Sequence, residues 1–468
     1  MKFFKPALFF IFFSVTCFAQ NRIQNLERAF NTLLADEQAK HAITSLCVLD
    51  ANTGKTLFAK NDQIGLATAS TLKTITAATA FSILGKDFQF QTTLAYSGNI
   101  TTDGTLKGNL IIIGSGDPTL GSWRYQNKEN AVLTQWVSAI KAAGIKKIEG
   151  AIIGDDRIFG TQTTPEGWVW QDIGNYYGAG TSGLAWRENQ FDIHLNPGLS
   201  AANEVKVVKA VPETPYIKIV NELKTGSSGS GDRTYAFLPP YSNVAYLRGS
   251  WGMGISKAGI SVALPDPAFD CAYRLQDTLK RLGIPAVQPA TTTRLMALNN
   301  QEIPAITQKI NTISSPNLSE ITYWFLKKSI NLYGETLLKT IALKAGKTAS
   351  TSKGAETEIS YWSEKGIDKS ALNIIDGSGL SPGDRITTSA MAGILFQIQK
   401  ENWFPDFYKA LPEYNGMKIK SGTINDVSAF AGYHTDSAGN KYVIVININN
   451  YSGSGINKKL FRVLDELK

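Results

Sequence analysis

Three short polar stretches, each set among apolar elements, put the strictest condition on how this 468-residue chain folds. Ser70-Thr71-Leu72-Lys73 opens an apolar helical run that stops at Gly85, directly after a predicted β-hairpin (SLCVLDANTGKTLFAKN). Ser329-Ile330-Asn331 lies between two apolar helical runs in FLKKSINLYGETLLK. Lys420-Ser421-Gly422-Thr423 ends a predicted strand that leads into AFAGY. From Lys73 to Ser329 is 329 − 73, or 256, positions. If the three stretches act together, the fold must bring segments hundreds of residues apart to one place.

The residue types explain why they would act together. A serine hydroxyl is a weak nucleophile and needs a base beside it. Positions i and i+3 share a helix face, so Ser70 and Lys73 are neighbours, and a buried lysine with a lowered pKa can take the serine proton. A helix start also offers unpaired backbone N–H groups to an oxyanion. A glycine in a strand lets backbone approach closely, and the lysine and hydroxyls around it supply charge and hydrogen bonds. Singly these patterns say little, because Ser138/Lys141 and Ser350/Lys353 repeat the first spacing. Lys224-Thr225-Gly226 mimics the third and Ser315-Pro316-Asn317 the second. The first of these two mimics lies in a Gly/Ser tract (224–232) that reads as a surface loop; the second reads as a helix start. The specific signal is the ordered triple.

Composition narrows the class. With 43% hydrophobic and 18% charged residues the chain is an ordinary globular protein, and its length suits two to four domains at roughly 100–200 residues each. Residues 1–19 carry Lys2 and Lys5, then an apolar run ending at Ala19, and read as a secretory signal peptide. That run is too short for a membrane span, and Val15-Thr16 disfavour a lipoprotein at Cys17. Without the leader the formal charge falls from +8 to +6 by loss of two lysines. This charge is diffuse, which speaks against nucleic acid as a partner and suits the surface of an anionic wall or membrane. His41, His194 and His434 are scattered, so neither a metal site nor a Ser-His-Asp triad is expected, and no cofactor is called for. Cys47, inside an apolar strand, reads as a buried thiol; a bridge to Cys271 is left open.

The sequence resembles the serine DD-peptidases, or penicillin-binding proteins, and among them the low-molecular-mass class C D-alanyl-D-alanine carboxypeptidase/endopeptidases with large inserted domains. ASTLK, GNLIIIGSGDPTL, GIKKIEGAIIGDDRIF, KKSINLYGETLLK, DGSGLSPGDRIT and IKSGTINDVSAFAGY carry the resemblance across nearly the whole mature chain. It implies an α+β, β-lactamase/transpeptidase-like catalytic domain, an antiparallel sheet flanked by helices, at residues 20–92 and 268–468. The insertion would be 93–267, with an α/β portion at 115–183 and a β-rich remainder. The implied substrate is the peptidoglycan stem peptide, with β-lactam antibiotics as inhibitors, and the implied place of action is outside the cytoplasm.

The resemblance also implies roles. Ser70 attacks the D-Ala-D-Ala carbonyl, Lys73 is the base, Ser329 relays a proton, Asn331 holds Lys73 or the substrate amide, and Lys420 sets the local field. Ser421, Gly422 and Thr423 bind the terminal carboxylate and complete the oxyanion hole. Asp172 and Tyr177, in EGWVWQDIGNYYGAG, are candidates for the amino group of the stem-peptide side chain; the tryptophans there read as an aromatic core. Asp376, Ser378 and Ser381 read as pins of a tight loop. Two other readings are a β-lactamase-like hydrolase, for which no water-activating group is evident, and a non-catalytic wall-binding relative, against which the intact polar stretches argue.

Overall fold

The computed structural model describes residues 7–468, with side chains from Asn21 onward. The leader expected at 1–19 therefore lies in part outside the described residues; its remainder is backbone within the helix Ala7–Leu34. No described helix is long and apolar enough to cross a membrane. The chain forms two compact units: Met1–Thr79, Thr322–Ser329 and Glu358–Lys468 make the first, Ala80–Ile321 and Ile330–Thr357 the second.

The first unit is built on a six-stranded antiparallel sheet. Its order is Thr56–Lys60, Ile43–Asp50, Lys441–Asn449, Val427–Thr435, Met417–Ile424 and Glu413–Tyr414. Two strands from the N-terminal part thus join three long ones from the C-terminal part, as the apolar runs suggested. Side chains alternate across a strand. Leu46, Val48, Ile444, Ile446 and Ile448 face one way and meet Leu26, Phe30, Leu460 and Leu464 of the helices Ala7–Leu34 and Ile456–Asp465. Ser45 faces the other way and shares a 2.6 Å hydrogen bond with Thr388 of the helix Thr388–Ile398. Both faces are covered, which is why ITSLCVLD and KYVIVININ read as near-continuous apolar runs rather than as alternating ones.

The second unit holds a five-stranded mixed sheet in the order Thr291–Thr292, Ile152–Asp155, Leu110–Ile113, Gln91–Tyr96 and Gln308–Ser314. The helices Glu129–Ala142 and Pro267–Arg281 pack on it through Trp136, Ile140, Cys271 and Leu275. Asp266 caps the second of these by accepting from the Phe269 N–H, with Pro267 at the first helical position. Residues 268–321, grouped on sequence with the catalytic domain, pack here instead, because the strands at 291–292 and 308–314 complete this sheet at both edges. The β-rich part has a three-stranded sheet (Lys206–Val211, Gln190–Asn196, Gly259–Ala263) and a four-stranded one around Val244–Gly252, sharing one apolar core. Lys224–Gly226 is a strand of the latter, paired in parallel with Ser250–Gly252, so the surface-loop reading of the Gly/Ser tract holds only beyond it.

Candidate active site

Ser70 lies in a tight turn of a kind the sequence did not show. Ala69 takes φ +44°, a left-handed backbone that a residue with a Cβ adopts at a cost of about 1–3 kcal/mol. The chain then makes one 3-10 turn, Ala69–Leu72, before the α-helix Lys73–Leu84 begins. In 3-10 geometry side chains at i and i+3 eclipse. The turn therefore stacks Lys73 over Ser70 more directly than an α-helical turn would. Lys73 Nζ donates to Ser70 Oγ at 2.8 Å and to the Ser378 carbonyl at 2.6 Å. Lys73 is wholly buried while Ser70 keeps some exposure.

The loop that supplies the Ser378 carbonyl is held by buried carboxyls. Asp376 accepts from the N–H groups of Ser378 at 2.9 Å, Gly379 at 2.6 Å and Ser381 at 2.8 Å. Asp384 accepts from the Ile375 N–H at 2.6 Å. Burial and then the neighbouring Asp376 push the Asp384 carboxyl well above the usual range. Gly379, at φ +75°, packs so tightly on the Ala69 carbonyl that any Cβ would collide with it. The loop is thus pinned as expected, and it also holds Lys73, which the motif alone did not reveal. A further missed group is Glu358, fully buried on the helix Thr351–Glu364, where its carboxyl accepts from Thr76 of the Ser70 helix at 3.4 Å. Burial pushes it up to about 8. A lone Glu in a helical run gives no sign in sequence that it points inward.

The third stretch comes to the same turn. Lys420, 1% exposed, sits on Met417–Ile424, and its Nζ donates to the Ser421 carbonyl at 2.7 Å. Burial first, and then the positive charge of Lys73, hold its pKa well below that of an ordinary lysine. Gly422 faces the Ser70 turn. A Cβ there would lie 2.7 Å from the Thr68 carbonyl oxygen, 2.8 Å from the Ser70 nitrogen and 2.9 Å from the Thr71 nitrogen. Only glycine permits this approach. The next strand, Glu413–Tyr414, pairs only with Met417 and Lys418. Among the described residues, then, Lys420–Ile424 has no strand on that edge. Such an edge can take an extended peptide.

The second stretch divides between the units. Ser329, at φ +57°, ends the helix Leu318–Lys328 in the first unit. Asn331 opens the helix Asn331–Lys344 in the second, where its side-chain amide donates to the Tyr177 carbonyl at 2.8 Å. The Tyr177 hydroxyl bonds Asp172, so Asn331, Tyr177 and Asp172 form one constellation in that unit. Burial raises the Asp172 pKa, and the bond from Tyr177 opposes the rise. The neighbouring aromatics do not all form a core: Trp168 is buried, whereas Trp170 is 53% exposed.

A family model described as the D-Ala-D-Ala carboxypeptidase 3 (S13) family matches residues 26–413, which leaves Lys420–Thr423 just past its end. A D-alanyl-D-alanine carboxypeptidase of Actinomadura sp. (strain R39) is 25% identical over 467 residues, covering 92% of this chain and 82% of that protein. The D-alanyl-D-alanine carboxypeptidase DacB of Haemophilus influenzae is 25% identical over 422 residues, covering 86% of this chain and 84% of that one. The crystal structure of penicillin binding protein 4 from Haemophilus influenzae superposes with a TM-score of 0.77 at 22% identity, covering 93% of this chain and 98% of that one. The same protein complexed with a β-lactam superposes with a TM-score of 0.72. The fold is thus the α+β one expected. A family model spanning well over half the sequence, with relatives aligned along most of it, means that the chain belongs to the D-Ala-D-Ala carboxypeptidase 3 (S13) family of serine DD-peptidases.

Proposed function

We propose that the protein hydrolyses the terminal D-Ala-D-Ala bond of peptidoglycan stem peptides through an acyl-enzyme on Ser70. The observation that carries this reading is the 2.8 Å approach of a wholly buried amine, Lys73, to the Ser70 hydroxyl. Neutral Lys73 takes the hydroxyl proton as Oγ adds to the carbonyl carbon. The oxyanion is bonded by the backbone N–H groups of Ser70 and Thr423, which the bare Gly422 lets approach. Collapse breaks the C–N bond, and the departing D-Ala amine takes a proton from the Lys73 ammonium by way of the Ser329 hydroxyl. Water then attacks the ester, its proton returns to Ser70 Oγ through Lys73, and the shortened peptide leaves with a new carboxylate.

Lys420 lies close to Lys73, and burial first and then the Lys73 charge hold its own pKa low, so the pair disfavours two ammonium charges together. The hydroxyls of Ser421 and Thr423 bond the terminal carboxylate. Asn331 is assigned to the substrate amide, and Asp172 with Tyr177 to an ammonium on the stem-peptide side chain. The leader would place the enzyme outside the cytoplasm. A β-lactam would acylate Ser70 by the same addition, with its amine leaving group still tethered.

The test is mass spectrometry after incubation with benzylpenicillin, followed by peptide mapping. A long-lived adduct of the intact drug on the Ser70 peptide, absent in Ser70→Ala, is expected. No adduct, or one mapped elsewhere, sinks the reading; rapid turnover of penicillin would favour the β-lactamase-like alternative.

A further inference from the structure

The β-rich part of the second unit carries a surface that the peptidase reaction does not use. Its strands Asp232–Phe237 and Val244–Gly252 pair antiparallel, with Tyr235 opposite Arg248 and Phe237 opposite Tyr246. Ala236, Leu238, Ala245 and Leu247 point into the core beneath. By alternation, Tyr235, Phe237, Tyr246 and Arg248 point out on the other face. The outward face of such a sheet is ordinarily polar, and here three of these four positions are aromatic.

The rings form one continuous platform. The Arg248 guanidinium lies 5.1 Å from the centre of the Phe237 ring and 5.3 Å from that of Tyr246. Trp170 extends the row, with its ring 6.1 Å from Phe237 at 41°. Trp170 and Tyr246 remain 53% and 38% exposed. Exposed Trp170 and Tyr246 flank the half-buried Phe237, and aromatic surface gathered in this way, rather than scattered singly, marks a binding face.

The chemistry of the row selects its occupant. Arg248 donates to Glu222 at 2.7 Å, so its charge is matched. Flat rings beside a paired donor and acceptor suit a neutral sugar. The C–H bonds on a pyranose face carry slight positive charge and meet the negative face of a ring, while the sugar hydroxyls reach Arg248 and Glu222. We propose that this row binds the carbohydrate strand of the wall polymer, a β-linked chain of N-acetylated hexosamines. In doing so it would hold the strand while the peptidase site works on the attached peptide. The inference rests on the peptidase reading only in taking that polymer as the substrate.

The test titrates the full chain with a hexamer of β-1,4-linked N-acetylglucosamine, neutral and free of peptide, by calorimetry and tryptophan fluorescence. Saturable binding is expected, weakened at least tenfold in Tyr246→Ala and in Trp170→Ala, with circular dichroism showing both variants folded. Tyr246→Ala should leave hydrolysis of a soluble D-Ala-D-Ala tripeptide unchanged while slowing D-Ala release from intact wall sacculi. No saturable binding to the wild type, or wild-type affinity in both variants, overturns the proposal. So does a dimer that Tyr246→Ala disperses, which would give the face to a second copy of the chain. The hexamer carries no peptide, so a failed penicillin adduct would sink the peptidase reading without touching this titration.

Discussion

Lys224-Thr225-Gly226 and Lys420-Ser421-Gly422 match the same three-residue pattern, and both lie on strands. Their surroundings differ. Lys224 is exposed, whereas Lys420 is buried beside a second lysine. Thr225 is occupied as an acceptor for the Gly198 N–H at 2.7 Å, while its counterpart Ser421 is half-buried and Thr423 beyond it is exposed. A Cβ on Gly226 would collide with the hydroxyl of Ser230, a side-chain end, and meet the Gly252 backbone at ordinary contact distance; a Cβ on Gly422 would collide with backbone atoms of the Ser70 turn. A motif becomes a site through what its backbone is pressed against, and three letters do not record that.

The largest effect that would sharpen this contrast is on the nucleophile itself. Ser70→Ala should lower tripeptide hydrolysis by about 10⁴-fold or more and abolish penicillin labelling. Residual labelling at the same peptide would mean that another group is acylated. Next come the matched glycines. Gly422→Ala should slow acylation by about 10²-fold, because displacing the Ser70 turn by part of an ångström spoils the attack geometry. Gly226→Ala should leave the acylation rate as it is. Stopped-flow acylation with a chromogenic β-lactam reads both, and equal effects would remove the distinction drawn here.

The lysines form a second pair. Lys420→Ala should cut acylation by about 10²-fold, whereas Lys224→Ala should change neither rate nor stability beyond about 0.5 kcal/mol. The smallest effect concerns the buried carboxyl behind the Ser70 helix. The Glu358 pKa is raised from 4.5 to about 8, with burial as the first cause. The folded state therefore holds this proton more tightly than the unfolded chain does. Its contribution to stability is complete below pH 4.5 and is lost as pH rises to about 8. Glu358→Gln should show a smaller fall in Tm between pH 5 and pH 8 than the wild type; equal falls would mean that Glu358 is not the group titrating.

Much of this molecule could be read in advance where the signal is local. ITSLCVLD, AFAGY and KYVIVININ are strands because their apolar runs admit little else. NAVLTQWVSAIKAAG forms a helix, Glu129–Ala142, followed by Gly144 at φ +80°. The Ser70/Lys73 spacing made the two side chains neighbours, as the 2.8 Å hydrogen bond has them, but suggested an α-helical turn where the chain makes a 3-10 turn from Ala69 at φ +44°. The strands at 291–292 and 308–314 are too short or too mixed to announce that they belong to a sheet begun at residue 91.

The sequence by itself determined which residues offer hydroxyl and amine groups at close spacing, because side-chain type and short-range spacing are written in it directly. Tertiary structure alone decided that the Ser378 carbonyl holds Lys73, that Gly422 abuts the Ser70 backbone, and that a sheet face in the second unit turns aromatic rings to water. Those facts arise from the meeting of segments distant along the chain. No spacing in one segment specifies which backbone atoms of another will lie against it.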